Sequence, residues 1–185
     1  KTLLAASHAA AEMRRADRYG LAPAACEVDF PAVMERVRRI RSEISEHDAA
    51  KRFREMGVDV FLGDATFTGP DTIVVGGQTL RFARACIATG ARAFRPDMEG
   101  LEAAGFHTNE TVFSLTELPK RLCVLGSGPI GCELGQAFAR LGSEVTIIEK
   151  GPQFLGKEDR DAAEIVGRSF ERDGIRCMLQ AKVVK

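Results

Sequence analysis

The feature of this sequence that most constrains its fold is a glycine-rich turn between an apolar segment and a helical pattern. Residues 122–125 are apolar, the turn reads Gly126-Ser-Gly-Pro-Ile-Gly131, and a helical pattern follows. The next apolar segment, 144–149, ends in Glu149, about 20 residues after the turn. A GxGxxG motif alone is weak evidence, but strand, turn, helix and terminal acid together predict a dinucleotide-binding βαβ unit.

The residue types in the turn suit a bound pyrophosphate. Gly126 permits the tight turn, Gly128 lets the phosphates approach the backbone, and Gly131 lets the helix pack closely on the sheet. The helix N-terminus offers free N–H groups and the positive end of the helix dipole to phosphate oxygens. An α/β turn without a ligand is the alternative. The cofactor-binding residues predicted here are Gly126, Ser127, Gly128, Pro129, Ile130 and Gly131.

Glu149 bears on the choice of nicotinamide cofactor. A carboxylate at this strand end accepts hydrogen bonds from a ribose diol, whereas the 2′-phosphate of NADP would bring a second anion close to it. Like charges about 4 Å apart repel by about 4 kcal/mol at an effective dielectric of about 20. We therefore expect NAD rather than NADP, with Lys150 weakening the preference; a solvated strand end is the alternative.

Charge and cysteine content exclude several classes of partner. Lys plus Arg equals Asp plus Glu, 26 each, so no net charge attracts nucleic acid or a membrane surface. The five cysteines (26, 86, 123, 132 and 177) have no CxxC motif and no metal-ligand spacing, and Cys86 and Cys123 are expected in the core. We expect no metal site, no signal peptide and a cytoplasmic location.

The sequence predicts two helices first, then a series of strands, and then a part in which strands and helices alternate. Gly and Pro residues mark the breaks between them. Helices are predicted over 2–17, 31–56, 114–118 and 159–173, and strands over 58–62, 65–68, 72–75, 79–82, 84–89, 122–125, 144–149 and 175–179. The strands between 65 and 82 are expected to form an antiparallel meander, and the last three to form a βαβαβ unit.

Three segments together resemble one enzyme family. They are the initial helix beginning Lys1-Thr-Leu-Leu, the strand ending Ile87-Ala-Thr-Gly-Ala-Arg92, and the glycine-rich unit 126–150. The chain is similar over almost its whole length to the FAD-dependent pyridine nucleotide–disulfide oxidoreductases, which include dihydrolipoyl dehydrogenase, glutathione reductase and mercuric reductase. The segment 136–142 resembles the mercuric reductase branch.

The resemblance implies an α/β fold of the three-layer, FAD/NAD(P)-binding Rossmann-like type with an antiparallel β-meander. Residues 1–98 would be the remainder of the FAD-binding domain, 99–113 a linker, and 114–185 the first βαβαβ half of the NAD-binding domain. Both domains would be incomplete. The FAD motif and the redox cysteine pair would precede Lys1, so this chain would hold no catalytic residue.

The resemblance also assigns cofactor contacts. Lys1 would lie beside the flavin and pair with Glu133, so that the cation stabilises negative charge on reduced flavin. Two departures from the family pattern are Pro129, where some relatives have an aromatic gate, and the run 93–99, where a proline-rich run is usual. The remaining implied contacts are Ala65 with the adenine of FAD, Ala88, Thr89 and Gly90 closing over FAD, and Val183 beside the adenine of the nicotinamide cofactor.

The implied function is part of an enzyme that passes hydride from NADH to FAD and then electrons to a disulfide or metal-ion acceptor. The intact protein would be a homodimer. A non-catalytic nucleotide-sensing Rossmann module is the alternative, but it would not need the helices, meander and strand within residues 1–90. A methyltransferase with a similar glycine loop is disfavoured because its loop usually lacks the closely packed helix after the third glycine.

Overall fold

The computed structural model describes residues 1–184, which fall into two compact units. Within the described residues, unit 1 consists of Lys1–Ile40 with residues 95–184, and unit 2 is Arg41–Phe94. The helices are α1 (Thr2–Arg14), α2 (Phe30–His47), α3 (Ala50–Glu55), α4 (Leu101–Ala104), α5 (Pro129–Leu141) and α6 (Arg160–Arg172). The strands are β1 (Ala65–Gly69), β2 (Thr72–Val75), β3 (Gln78–Arg81), β4 (Arg121–Leu125), β5 (Glu144–Ile148) and β6 (Arg176–Met178).

A three-stranded parallel sheet organises unit 1. Strand β5 lies between β4 and β6, with Val124 opposite Ile147 and Ile147 opposite Cys177. Helices α5 and α6 connect the successive strands, as parallel pairing requires. The predicted βαβαβ order is confirmed, and its strands end within one residue or two of the predicted bounds.

The core of unit 1 lies between this sheet and the helices. Phe138 on α5 and Phe170 on α6 are almost fully buried with Val145 and Ile147 of β5. Helices α1 and α2 join the same cluster, and the ring of Phe30 lies 5.9 Å from that of Phe138. Burial of these apolar side chains is the main stabilising contribution to unit 1.

Helix α5 lies unusually close to β4 at Gly131. A Cβ added to Gly131 would lie 2.7 Å from the Gly126 carbonyl oxygen and 3.1 Å from Val124 Cγ1. One turn later, a Cβ at Gly135 would lie 3.4 Å from Ile147 Cδ1. The predicted close packing at Gly131 is therefore present, and only glycine fits there without displacing backbone.

A buried carboxylate joins three helices at the other end of α5. Asp173 directly follows α6, and its side chain is only 2% exposed. It accepts hydrogen bonds from Arg140 Nε at 2.9 Å and Gln136 Nε2 at 2.8 Å, both on α5, and forms an ion pair with Arg15 at the end of α1. Removing such a partner from a buried pair is costly, so this contact holds α1 against the α5–α6 pair.

The antiparallel meander predicted for unit 2 is confirmed. Strand β2 pairs with both β1 and β3, and Gly76 and Gly77 make the second turn with φ of +56° and +77°. Positive φ at two consecutive residues is the conformation that favours glycine in a tight hairpin. Phe67 and Phe82 stack edge to face across the sheet, 5.7 Å apart.

Four element predictions were wrong. The helix predicted over 31–56 is interrupted at 48–49, because residues 41–47 bury no side chain and helices depend mainly on packing. Residues 58–62 and 84–89 form no strand, because no strand among residues 1–184 pairs with them. The helix predicted over 114–118 is instead a 3₁₀ turn at Val112–Ser114, followed by extended backbone at Leu115.

The prediction that Cys86 and Cys123 are core residues was also wrong. Both side chains are exposed. Leu125, two residues after Cys123 and on the same face of β4, is exposed as well. Cys123 lies on the face of β4 that the described helices leave uncovered, and Cys86 belongs to the segment that forms no strand.

The domain bounds 1–98, 99–113 and 114–185 stay a prediction. Across residues 1–184, no helix is long and apolar enough to cross a membrane.

The close approach of α5 to the Gly126 carbonyl at Gly131 leads to a prediction about stability. Gly131→Ala should lower the free energy of unfolding by about 1–3 kcal/mol, because its Cβ would overlap the Gly126 carbonyl. Gly167→Ala is the matched control: Gly167 lies inside α6, where a Cβ meets nothing within 4 Å, and the change should stabilise by about 0.5–1 kcal/mol. Urea unfolding measures both, and equal effects of the two changes would contradict the packing argument.

Candidate nucleotide-binding site

The glycine turn between β4 and α5 is held in one conformation and is open on its outer side. Gly126 has a φ of +96°, which favours glycine, and its N–H donates to the Ile148 carbonyl at 2.8 Å. A Cβ at Gly128 would meet no atom within 4 Å, in contrast to Gly131. The space beside Gly128 therefore lets a ligand approach the backbone.

The N-terminus of α5 faces this open side. Pro129 occupies the first helical turn, as predicted, and no side chain caps the helix. The Cys132 N–H is the first to bond inside the helix, to the Gly128 carbonyl at 2.9 Å. The N–H groups of Ile130 and Gly131 precede it and, with the helix dipole, form a site suited to an anion.

Glu149 lies against the glycine turn. Its Oε2 accepts hydrogen bonds from the Ser127 N–H and the Ser127 hydroxyl, both at 2.9 Å. Its Oε1 accepts one from the Gly151 N–H at 2.7 Å. The backbone donors of Ser127 and Gly151 hold the pKa of the Glu149 carboxyl below its usual range, with smaller contributions from the Ser127 hydroxyl and Lys150. The carboxylate is therefore ionised at neutral pH.

Ser127 has a role that the sequence analysis missed. Its side chain is buried, donates to Glu149, and accepts a hydrogen bond from the Leu155 N–H at 3.3 Å. The Cys132 thiol donates to the Ser127 carbonyl at 3.2 Å. Ser127 thus joins the turn to Glu149 and to the loop after β5. A hydroxyl residue between two glycines is the only signal for this in the sequence.

Three cysteines near the sheet lack the properties of reactive thiolates. Burial, with smaller effects of Cys177, Glu149 and Glu133, raises the pKa of Cys132 to about 12. Cys123 and Cys177 keep part of their surface in solvent, but partial desolvation raises the pKa of each thiol, with a smaller effect of Glu171 at Cys177. A catalytic thiol needs a lowered pKa, so these three thiols are unsuited to nucleophilic work at neutral pH.

Lys1 and Glu133 lie near the N-terminal ends of two packed helices, α1 and α5, and both are exposed. Among residues 1–184 no ion pair or hydrogen bond joins them. Their pairing beside a flavin stays a prediction.

The other residues predicted to contact cofactors lie in three places. Ala65 begins β1, and it is exposed. Residues 88–90 are exposed and irregular, with Gly90 at a φ of +71°. Val183 is half-buried in the irregular segment after β6. Their contacts with FAD and with the nicotinamide cofactor stay predictions.

Comparison with known proteins gives a single family. Residues 1–185 match the family described as pyridine nucleotide-disulphide oxidoreductase. The chain is 35% identical to a mercuric reductase of Lysinibacillus sphaericus over 95% of its own length and 32% of that protein. It is 31% identical to a dihydrolipoyl dehydrogenase of Chlamydia muridarum over 99% of its own length and 40% of that protein.

A solved structure agrees with the sequence comparisons. The Cu(II) complex of the HOCl-induced flavoprotein disulfide reductase RclA from Escherichia coli superimposes with a TM-score of 0.75 at 28% identity. The match covers all of this chain and 39% of that protein. The chain therefore has the fold of FAD- and NAD-binding disulfide reductases, and it spans about a third of the length of the mercuric reductase it matches.

The hydrogen bonds to Glu149 predict a pH-dependent contribution to stability. Because its folded-state pKa is lowered, the contribution is present above the unfolded pKa and is lost as pH falls through the folded pKa. Glu149→Gln should lower the free energy of unfolding by about 1–3 kcal/mol at neutral pH, and the difference should shrink as the solution is acidified below about pH 4. Urea unfolding across this pH range measures it.

Glu117→Gln provides the control for this measurement. Glu117 is exposed and has no hydrogen bond or ion pair within residues 1–184. Its replacement should change stability by less than about 0.5 kcal/mol at each pH. A Glu149→Gln deficit that stays constant down to acid pH would contradict the assigned role of the charge.

Proposed function

Because the chain belongs to the pyridine nucleotide-disulphide oxidoreductase family, we propose that it is part of a flavoprotein that passes hydride from NADH to FAD, and that it contributes to the binding of both cofactors. Electrons would then go to a disulfide or to a metal ion. The names of the relatives support both kinds of acceptor, since dihydrolipoyl dehydrogenases and mercuric reductases both match this chain. The functional protein is proposed to be a homodimer.

The observation that carries this proposal is the ionised Glu149 beside an open glycine turn. The amides of Ile130 and Gly131 would hold the pyrophosphate, which would approach the backbone at Gly128. Pro129, at the first helical position, contributes no N–H, so the amides offered to the pyrophosphate are those of Ile130 and Gly131. These residues fit the diphosphate of NAD.

Glu149 retains room for one more donor. A carboxylate has about four acceptor positions, and three of them are taken by Ser127 and Gly151. The position left on Oε1 would accept the ribose hydroxyl of NADH. The 2′-phosphate of NADPH has no proton to donate there when fully ionised, and its charge would be repelled.

The flavin contacts are proposed from the family alone. Lys1, held by Glu133, would stabilise negative charge beside the flavin ring, and Ala65 with residues 88–90 would contact FAD. Val183 would flank the adenine of the nicotinamide cofactor. FAD supplies the redox chemistry when bound, while these residues bind and orient the cofactors.

The proposed role of Glu149 predicts a preference for NADH. Calorimetric titration of the chain should give a dissociation constant for NADH at least about tenfold lower than for NADPH. Glu149→Ala should reduce this ratio, mainly by weakening NADH binding, because the ribose loses its acceptor. Glu117→Ala is the matched control and should leave the ratio unchanged. Equal affinities in the unaltered chain, or tighter NADPH binding, would contradict the proposal.

From the positions and pKa shifts of the cysteines we predict that residues 1–185 alone do not catalyse NADH-linked reduction of a disulfide or a metal ion. A dithiol relay needs Cα atoms about 4.4–6.8 Å apart and a stabilised thiolate. Cys123 and Cys132 are the nearest cysteines in sequence, nine positions apart, and lie in different elements with raised pKa values. NADH oxidation with added FAD and a disulfide or Hg(II) acceptor should stay at background. Turnover that disappears with Cys123→Ser or Cys132→Ser would show that the redox centre lies here.

A further inference from the structure

A cavity of about 230 Å³ lies where the C-terminal ends of α1, α5 and α6 meet. Its wall contains four arginines, Arg14, Arg15, Arg140 and Arg172, and one carboxylate, Asp173. From this arrangement we propose a second anion site in the chain, one that binds a tetrahedral oxyanion of the phosphate or sulfate class. It is independent of the proposed nucleotide-binding function.

One carboxylate pairs with two of the four arginines. Asp173 pairs with Arg15 and Arg140, and its remaining contact is the Gln136 side-chain amide. The burial of Asp173 leaves little of this carboxylate to interact with anything else. The ionic network therefore fixes two guanidinium groups in the wall of the cavity.

The other two arginines have no carboxylate partner among residues 1–184. Arg14 donates to the backbone carbonyls of Arg140 at 2.5 Å and Cys26 at 3.5 Å, which fixes its position without neutralising its charge. Arg172 is exposed, and no hydrogen bond or ion pair within residues 1–184 involves its side chain. Arg14 and Arg172 therefore add two positive charges to the one that remains on the Arg15–Arg140–Asp173 group.

The helix ends offset only part of this excess. Each helix C-terminus carries a partial charge of about −0.5, so the three ends together contribute about −1.5. Four guanidinium groups and one carboxylate contribute about +3, which leaves about +1.5 at the cavity. Capping of helix carbonyls explains the position of Arg14, but it does not account for the excess charge.

The geometry of arginine favours an oxyanion over a halide. A planar guanidinium donates two parallel hydrogen bonds to phosphate or sulfate oxygens, and Arg is preferred where such bidentate binding occurs. The cavity exceeds the roughly 30 Å³ that one water molecule occupies in the liquid, so it has room for an oxyanion with part of its hydration.

The cavity is distinct from the glycine turn. The turn adjoins the N-terminus of α5, and the cavity adjoins its C-terminus. Thirteen residues at 1.5 Å per residue separate these ends by about 20 Å. An anion in the cavity would contact α1, α5 and α6 together and so stabilise their packing.

The test is a titration of the chain with inorganic phosphate, followed by ³¹P NMR and calorimetry at a constant ionic strength of about 0.15 M set with NaCl. We expect saturable binding with a dissociation constant of about 1 mM or lower. Arg172→Gln should weaken it at least about tenfold, and Arg172→Glu should abolish it. Because Arg172 is exposed, neither change should alter the far-UV circular dichroism.

Two further variants make the outcome specific. Arg14→Lys keeps the charge but loses the planar fork, so it should bind phosphate more weakly than the unaltered chain. Arg160→Gln is the matched control, because Arg160 lies on the same helix, at its other end, paired with Glu164. Failure to saturate, equal binding by Arg172→Gln, or an equal loss with Arg160→Gln would each overturn the proposal. NADH binding should be unaffected by Arg172→Gln.

Discussion

The contact between Gly131 and the Gly126 carbonyl determines where the rest of the proposed nucleotide site can lie. It lets the backbone of α5 approach β4 more closely than any side chain would permit. The N-terminus of α5 is thereby brought to the carboxyl end of the sheet, where β5 also ends. Because Glu149 directly follows β5, the same contact brings the carboxylate within hydrogen-bonding distance of Ser127.

Hydrogen bonds of Ser127 and Glu149 connect the start of α5 to the loop after β5. The turn, the acid and the Gly151 and Leu155 N–H groups form one hydrogen-bonded network, with all but the Leu155 contact at 2.9 Å or less. The carboxylate is thus oriented and ionised before any ribose arrives, which reduces the ordering that binding requires. The proposed preference for NADH depends on this preorganised charge rather than on the presence of an acid alone.

The sequence predicted the elements whose partners lie nearby in the chain. The meander and the βαβαβ unit were recognisable because turn glycines and alternating strands are local patterns, and the role of Gly131 followed from its spacing in the turn. Segments 58–62 and 84–89 have strand-like composition but no partner among residues 1–184, and composition cannot supply one. The Asp173 network joins residues up to 158 positions apart, so no local pattern indicated it.

The anion sites proposed at the two ends of α5 have different physical origins. At the N-terminus the unpaired N–H groups and the dipole suffice, and glycine provides the access. At the C-terminus the dipole has the opposite sign and would repel an anion, so only the arginines can reverse the potential there. The positive charge of these four arginines exceeds the negative charge of Asp173 and the three helix ends. The excess charge at this end of unit 1 is therefore a property of four side chains. One of them, Arg172, is exposed and makes no side-chain hydrogen bond or ion pair within residues 1–184, so it can be changed without disturbing the packing of the helices.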